Sequence, residues 1–229
     1  MAVLLLRLAG VLQSWGSESK FETRRTEKYP TKSGVIGMIA SSLGRNREES
    51  VEDLCCLKFG IRTDYEGRII QDYHTVTVTE KPYITYRDYI SDAVFLAGLE
   101  SDDIDKLNDI SYALKHPAHP LFLGRCACPP SIPLVLGIRN ATLIDALSDE
   151  PWQLPEWRQA KIKNDDERKL RILIDSDCPD GFSVIRDVPQ SFNSIRRKYG
   201  WRNVEEHYVT IEGTDKIVET EHDAMAELR

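Results

Sequence analysis

The first residues that suggest chemistry are basic side chains between Gly10 and Gly44, where an apolar strand ends and an apolar helix begins. The start of a helix offers free backbone N–H groups and the positive end of the helix dipole, a combination that binds anions. The stretch is therefore suited to phosphate groups. A surface loop whose glutamates neutralise its arginines is the alternative that composition leaves open. The basic residues are Lys20, Arg24, Arg25, Lys28 and Lys32.

A second candidate group lies shortly before Gly124 and consists of Lys115, His116 and His119. Metal-free RNA cleavage needs a base for the 2′-hydroxyl, an acid for the leaving oxygen and a cation for the developing charge. These three side chains could fill those roles. The same residue types are also common in ordinary surface loops.

Two single side chains have both a binding and a structural interpretation. Trp15 could stack on a nucleobase, although a tryptophan that follows a strand end is more often part of the core. His74, in the pattern DYHT beside Tyr73, could be a general base or a polar contact. The spacing fixes no second acid or base beside it.

The sequence predicts neither a metal site nor a cofactor site. Cys126 and Cys128 form a C-x-C pair without the second pair that a structural zinc ion requires. The glycine-rich patterns of nucleotide and dinucleotide sites, the zinc-protease pattern and the hydrolase nucleophile pattern are absent from the sequence.

Composition predicts a cytoplasmic protein without a membrane span. The chain has 229 residues, of which 41% are apolar, and it has no apolar run of the roughly 18 residues that a span needs. Its five cysteines are an odd number without scaffold spacing, which favours reduced thiols.

Charge is distributed unevenly. Residues 203–229 contain eight acidic and two basic residues, so they hold −6 of the net charge of −7. The rest of the chain is nearly neutral, and its basic residues form the opening cluster and a second cluster late in the chain. A locally basic groove on an acidic protein favours one defined partner over general binding to polyanions. The late cluster is Arg186, Arg196, Arg197, Lys198 and Arg202.

Apolar periodicity predicts an α+β fold with a ferredoxin-like (RRM-like) βαββαβ core over residues 1–139. The continuous apolar run Val3 to Leu8 is typical of a central strand buried on both faces. Two polar strands that share a Glu80–Pro82 turn predict a hairpin that projects from the core, at about residues 69–92. The other predicted core elements are a helix from Thr31 or Ser33 to Leu43, strands Lys58–Thr63, Ala93–Leu99 and Leu134–Ile138, and a helix over Asp102–Lys115.

Residues 140–212 are predicted to form a second, β-rich half, with helix fragments on the surface before its strands. The strands are expected at Arg171–Asp175, Val184–Val188 and His207–Glu212. Residues 213–229 form an acidic tail with little to bury, and we expect it to be disordered.

Several motifs together resemble one known family. In chain order they are LRLAGVLQSWG, FETRRTEKYPTKSGVIGMIASSLG, DYHTV, YRDYISDAVF, FLGRCACPPSIPLVLG and RDVP, and they extend over residues 6–189. This set is similar to the CasD subunits of type I-E CRISPR Cascade complexes, which belong to the repeat-associated RNA-binding protein superfamily.

The resemblance implies a non-catalytic subunit that grips the five-prime handle of the CRISPR RNA and caps the backbone filament in antiviral defence. The implied partners are that handle, the adjacent Cascade backbone subunit and the large subunit, with target DNA involved indirectly and no membrane contact. It places RNA contacts on the opening loop, on a thumb formed by the hairpin, and on the proline-rich loop. The RNA-binding residues expected from the sequence and the resemblance are Trp15, Phe21, Arg24, Arg25, Lys28, Lys32, Ser33, Tyr73, His74, Arg87, Gly124 and Arg125.

The alternative is a metal-independent endoribonuclease that processes CRISPR repeat RNA. The related type I-C subunit is such a nuclease, with lysine and histidine in its site. In this chain that activity would have to use Lys115, His116 or His119.

Overall fold

The computed structural model describes residues 1–16, 23–77, 82–162, 168–177, 183–193 and 197–211. The fold is a mixed α+β fold, dominated by sheet and with few helices. Its strands are β1 (Ala2–Ala9), β2 (Leu12–Gln13), β3 (Thr23–Arg24), β4 (Lys58–Tyr65), β5 (Arg68–Thr77), β6 (Pro82–Ser91), β7 (Val94–Ser101), β8 (Val135–Arg139), β9 (Lys169–Ser176), β10 (Ser183–Ser191) and β11 (Lys198–Thr210). Its helices are α1 (Lys32–Ser42), α2 (Glu52–Cys55), α3 (Ile104–Lys115), α4 (Leu143–Asp149) and α5 (Glu156–Gln159).

Seven strands form the main sheet in the order β10-β11-β9-β4-β7-β1-β8, and every neighbouring pair is antiparallel. The strands predicted at Arg171–Asp175 and Val184–Val188 correspond to β9 and β10, whereas the strand predicted at His207–Glu212 overlaps only the end of β11, which begins at Lys198. All three strands extend the same sheet, because β9 pairs with β4 from Gly60↔Ile174 to Thr63↔Arg171. The division of the chain into parts at residues 139 and 212 stays a prediction.

Strand β1 is buried on both faces, as its uninterrupted apolar pattern predicts. On one face Leu4, Leu6 and Leu8 belong to the core that α1 and α3 cover. On the other face Val3 and Leu5 pack with apolar residues of α4. The helix fragments expected on the surface before β9 therefore include one, α4, that covers a sheet face. Each fully buried leucine contributes about 1.5–3 kcal/mol to folding.

Helix α1 starts as the sequence predicts. Thr31 is its N-cap, and its hydroxyl accepts a hydrogen bond of 3.2 Å from the Gly34 N–H. Gly34 is needed for close packing, because a Cβ there would lie 2.7 Å from Cε3 of Trp15. The helix start is thereby held against the chain that leaves β1.

The predicted hairpin is present as β5 and β6, which pair from Arg68↔Ser91 to Thr77↔Pro82. On its other edge β6 pairs with β2 and, in parallel, with β3. Most of β5 is exposed to solvent, as predicted for a projecting hairpin. The base of β6 departs from this prediction, because Tyr89 and Ile90 are buried in the main core.

Among the described helices, the longest has 12 residues, and none is long and apolar enough to cross a membrane. The acidic tail over residues 213–229 lies outside the described residues, and its predicted disorder stays a prediction.

Candidate nucleic-acid interface

A groove of about 1220 Å³ lies along the outer side of α1. Its lining comes from four places in the chain: the exit from β1, α1 with the turn after it, the proline-rich loop, and the ends of β10 and β11. These are Ser14–Gly16 with Arg24; Thr31, Ser33, Gly34, Gly37, Met38, Ala40, Ser41, Arg45, Asn46, Arg47 and Val51; His119–Phe122 with Gly124–Cys126; and Arg186, Phe192, Arg197 and Tyr199.

The charge of the groove has one sign. Its described lining contains six arginines and neither an aspartate nor a glutamate. A concave surface of one sign concentrates the opposite charge, so the groove favours an anionic ligand. The arginines are Arg24, Arg45, Arg47, Arg125, Arg186 and Arg197.

One of these arginines has a carboxylate partner beside the groove. Arg45 donates two hydrogen bonds of 2.6 Å to Asp53, and they hold the pKa of that carboxyl below its usual range. The pair is partly exposed, with side chains 24% and 47% accessible, so its own contribution to stability is small.

Arg125 holds the proline-rich loop against the opening stretch and the hairpin. Its guanidinium donates to the Arg24 carbonyl at 2.7 Å and to the Asp88 carbonyl at 3.1 Å, and it lies 4.8 Å from the Tyr89 ring centroid. Gly124 has φ +92°, and a Cβ there would lie 1.7 Å from the Ser14 carbonyl oxygen. Only glycine fits this approach. Gly124 and Arg125 therefore line the groove and also hold its wall, the proline-rich loop, in position.

The opening stretch and the hairpin are neighbours, as the sequence predicted. Arg24 on β3 lies beside Arg87 on β6. The Nε atom of Arg87 is buried and has no hydrogen-bond partner among the described residues. Tyr73 is 66% exposed on β5, and His74 lies 2.7 Å from Asp72. The three hairpin residues predicted to bind RNA are outside the groove lining, on the sheet that flanks it.

A carboxylate of the chain itself occupies the anion-binding position at the start of α1. The carboxylate of Asp187, which is fully buried, accepts a hydrogen bond of 2.8 Å from the Lys32 backbone N–H. The same carboxylate accepts hydrogen bonds of 2.6 and 2.9 Å from Arg202. Burial alone would lower the pKa of Arg202, but the hydrogen bonds and charges of Asp187 and Asp175 outweigh it and leave that pKa raised.

The Lys32 side chain belongs to the same network. Its ammonium donates to Asp175 at 2.8 Å and to the Leu57 carbonyl at 2.8 Å, and its side chain is only 6% exposed. Arg202 donates to the other oxygen of Asp175 at 2.6 Å. We name these four side chains, Lys32, Asp175, Asp187 and Arg202, the buried charge network. It joins α1 to β9, β10 and β11, and it turns Lys32 away from solvent.

Trp15 and Ser33 also lie too deep for the contacts expected of them. Trp15 is 1% exposed, and its indole N–H donates to the side chain of Gln13 at 3.0 Å. Ser33 is 5% exposed, and its hydroxyl lies 3.3 Å from the Thr31 hydroxyl. An indole without an exposed face cannot stack on a base, so the core interpretation of Trp15 is the one that the structure favours.

The other opening-loop residues that were predicted to bind RNA differ in whether they line the groove. Arg24 is exposed and lines the groove. Arg25 and Lys28 are exposed but do not line it. Phe21 lies outside the described residues.

The three candidate nuclease residues are not gathered in the groove. Of them, only His119 lines it. His116 lies at the end of α3, where its ring is 4.5 Å from the Tyr112 ring and its Nδ1 is 3.2 Å from the Tyr112 carbonyl oxygen. Lys115 is exposed on the last turn of α3. The three side chains therefore do not share the groove lining.

The proline-rich loop has one exposed and one buried cysteine. Cys126 is exposed in the groove wall, whereas Cys128 is buried, and burial raises the pKa of its thiol. Within the described part of the chain, no group of three or more His, Cys, Asp or Glu side chains is arranged to hold a metal ion.

The late basic cluster was recognised in the sequence, but its residues were not predicted to bind RNA. The structure brings two of its members, Arg186 and Arg197, to the same groove as Arg24 and Arg125. Arg47, Phe192 and Tyr199 were not singled out at all. A second basic cluster with nearby aromatic residues was the available signal, but its place in space depends on sheet pairing between distant segments.

The sequence matches known proteins of CRISPR systems. A family model described as CRISPR-associated protein (Cas_Cas5) matches residues 3–205. The CRISPR system Cascade subunit CasD of Escherichia coli (strain K12) is 32% identical in an alignment of 161 residues, with coverage of 61% of this chain and 72% of that protein.

Two solved structures have the same fold as this chain. A chain of a CRISPR RNA-guided surveillance complex is 30% identical with a TM-score of 0.76, and the match covers 91% of this chain and 90% of that one. A Cas protein crystal structure is 34% identical with a TM-score of 0.72, and the match covers 93% of this chain and 100% of that one. The chain therefore belongs to the Cas5 family of CRISPR-associated proteins.

Proposed function

We propose that this protein is the CasD-type subunit of a type I-E Cascade complex and that it holds the five-prime handle of the CRISPR RNA without cleaving it. The observation that supports this most is the groove along α1, with six arginines and no carboxylate in its described lining. Single-stranded RNA is recognised by clamps on its backbone and by stacking and edge contacts to splayed bases. A concave arginine surface supplies the backbone clamp.

The hairpin beside the groove supports the same proposal. The buried Nε of Arg87 has no hydrogen-bond partner in the part of the chain that the structure describes, and a phosphate oxygen would supply the acceptor. Arg24 lies next to it on β3. We infer that RNA leaves the groove across this pair of arginines, toward the thumb.

We further infer that the thumb meets the adjacent backbone subunit, with the large subunit nearby and target DNA reached only through the complex. One face of the hairpin exposes four large apolar side chains that alternate along β5 and β6. A contiguous exposed apolar patch of this kind is typical of a surface that contacts another protein. The exposed fractions of these side chains are 54% for Ile69, 66% for Tyr73, 49% for Ile84 and 45% for Tyr86.

The proposed architecture under this site is a ferredoxin-like core. In chain order its elements are β1, α1, β4, β7, α3 and β8, and its strands have the spatial order β4-β7-β1-β8. Helices α1 and α3 pack together on one face of these strands. That order and layering support the βαββαβ assignment.

The absence of catalysis is argued from geometry. A metal-free ribonuclease needs at least a base and an acid within hydrogen-bond reach of one phosphodiester. In the described lining, His119 is the only histidine, and no carboxylate accompanies it. A cytoplasmic location stays a prediction of the same proposal.

The direct test substitutes three exposed arginines of the groove, Arg24, Arg47 and Arg197, with glutamine. Each phosphate contact to single-stranded nucleic acid contributes about 0.7 to the slope of log K against log salt. If all three contact phosphates, the slope measured with handle RNA should fall by about 2. An unchanged slope and affinity would exclude the groove as the RNA site.

A matched control changes three basic residues outside the groove to glutamine. These are Lys58, Lys106 and Lys161. The control should keep the salt slope within experimental error, so that a fall in both variants would point to general charge effects. Incubation of the wild-type protein with repeat RNA in EDTA tests the absence of catalysis, and a discrete cleavage product would overturn it.

A further inference from the structure

Trp201, on β11, is the most exposed tryptophan among the described residues, with 67% of its surface accessible. Trp15 and Trp152 are 1% and 7% exposed, and Trp157 is 51% exposed. A single exposed apolar side chain needs no explanation by itself. The surroundings of Trp201 are what set it apart.

A register shift on β10 places two residues opposite Trp201. Val188 pairs with Gly200 and Ile185 pairs with Arg202, so Arg186 and Asp187 together face the one residue between them. Asp187 is directed into the buried charge network. Arg186 lies outside, where its guanidinium is 5.8 Å from the Trp201 ring centroid.

The pair is ordered before any ligand binds. The Nε of Arg186 donates to the Tyr199 carbonyl at 3.4 Å, so the strand that carries Trp201 also orients the guanidinium beside it. A cation over an indole face is attracted to it. A preformed contact surface loses less entropy on binding than a mobile one.

The pair is continuous with the groove. Arg186 and Tyr199 both line the groove, and Tyr199 lies on the same face of β11 as Trp201, two residues away. Residues two apart on a strand are separated by about 6.6 Å. A ligand that leaves the groove past Arg186 and Tyr199 therefore meets the Trp201 ring next.

We propose that Arg186 and Trp201 form a stacking platform for one unpaired base of the RNA held in the groove. This inference rests on the proposed function and adds a base contact to its backbone contacts. An indole accepts any base by stacking, and the adjacent guanidinium adds a positive charge for the phosphate. A protein surface is the less favoured occupant, because the six arginines of the neighbouring described lining, with no carboxylate among them, attract polyanions.

The experiment measures handle RNA affinity for Trp201→Ala and for the matched control Trp157→Ala. Trp157 is also exposed and has cations beside its ring, Arg158 at 5.2 Å and Lys161 at 5.1 Å. Neither of these cations lines the groove, whereas Arg186, beside Trp201, does. Loss of one stacked base should weaken binding about 5- to 150-fold. The handle RNA affinity of Trp157→Ala should stay within about twofold of the wild-type affinity, because Trp157 and its neighbouring cations lie outside the groove that would hold the RNA backbone.

A second measurement identifies the stacked base. RNA with a single abasic position is scanned along the handle, and one position should weaken wild-type binding as much as Trp201→Ala does. The two changes combined should then weaken it no further, because they remove the same contact. Equal additive losses would overturn the platform.

The outcomes separate this inference from the proposed function. If wild-type protein does not bind handle RNA, the proposed function fails. If binding depends on the groove arginines but is unchanged in Trp201→Ala, only the platform fails. An unchanged RNA affinity with weakened assembly into the complex would assign Trp201 to a protein contact and overturn the platform.

Discussion

Replacing Asp187 with asparagine should strongly destabilise the protein. Asp187 is fully buried, and its carboxylate accepts hydrogen bonds from both Arg202 and the Lys32 backbone N–H. Asparagine keeps the size and one acceptor oxygen, so the change removes mainly the charge. Lys32 and Arg202 would then share the single carboxylate of Asp175, and one buried positive charge would lack a partner.

The size of the loss follows from the depth of the network. Breaking a buried ion pair by removing one partner costs about 3–5 kcal/mol, because the other charge is left without compensation. The loss of an anion at a helix start adds about 0.3–1 kcal/mol. For a protein of this length, each 1 kcal/mol lowers the melting temperature by about 2–4 °C. The variant should therefore melt roughly 7–24 °C below the wild type.

Urea unfolding followed by circular dichroism measures this loss, and Glu206→Gln is the matched control. Glu206 accepts two hydrogen bonds of 2.9 Å from Arg171, also between strands of the main sheet. The Arg171 and Glu206 side chains are 40% and 33% exposed, so the control should lose at most about 1 kcal/mol. A loss below about 1 kcal/mol in Asp187→Asn, or equal losses in the two variants, would refute the assignment of a buried charge network.

The remaining predictions concern the packing of α1 and the wall of the groove. Gly34→Ala should destabilise the protein by about 1–3 kcal/mol, because the new Cβ would lie 2.7 Å from Trp15; Gly37→Ala, where the nearest atom is at 3.4 Å, should be neutral or stabilising by up to about 1 kcal/mol. Urea unfolding compares them, and the reverse order would contradict the packing. Handle RNA should protect Cys126 from iodoacetamide and leave the equally exposed Cys56 reactive; mass spectrometry that finds both sites labelled at unchanged rates would place the RNA elsewhere.

Structural features that depend only on residues close together in the sequence were predicted well. The continuous apolar run of β1 predicted burial on both faces, and Val3 and Leu4 do belong to different apolar clusters. The start of α1, with a cap at Thr31 or Ser33, and the pairing of the hairpin strands were also predicted, because capping and alternation are local properties of the sequence.

The prediction for Lys32 shows what local patterns cannot provide. A lysine at a helix start is well placed to bind phosphate, and no residue near Lys32 in the sequence argues against that role. Its actual neighbours, Asp175 and Asp187, come more than 140 positions later and are brought in by the pairing of β9 with β4. The same long-range pairing brings Arg186 and Arg197 to the groove, which is why they were missed as site residues.

Under the proposed function, the position of β10 and β11 also determines when the groove is complete enough to bind RNA during synthesis of the chain. Three of the four parts of the groove lie before residue 127, but the last part comes from Arg186 to Tyr199. A ribosome that adds 5–20 residues per second needs roughly 4–15 s to cover that interval. We expect a nascent chain to present an open, half-built arginine surface during this time. Nascent chains stalled before β10 that retain handle RNA as well as the finished protein would contradict this order. Under the proposed function, handle RNA is thus bound only by chains that have been translated almost to the end of the main sheet.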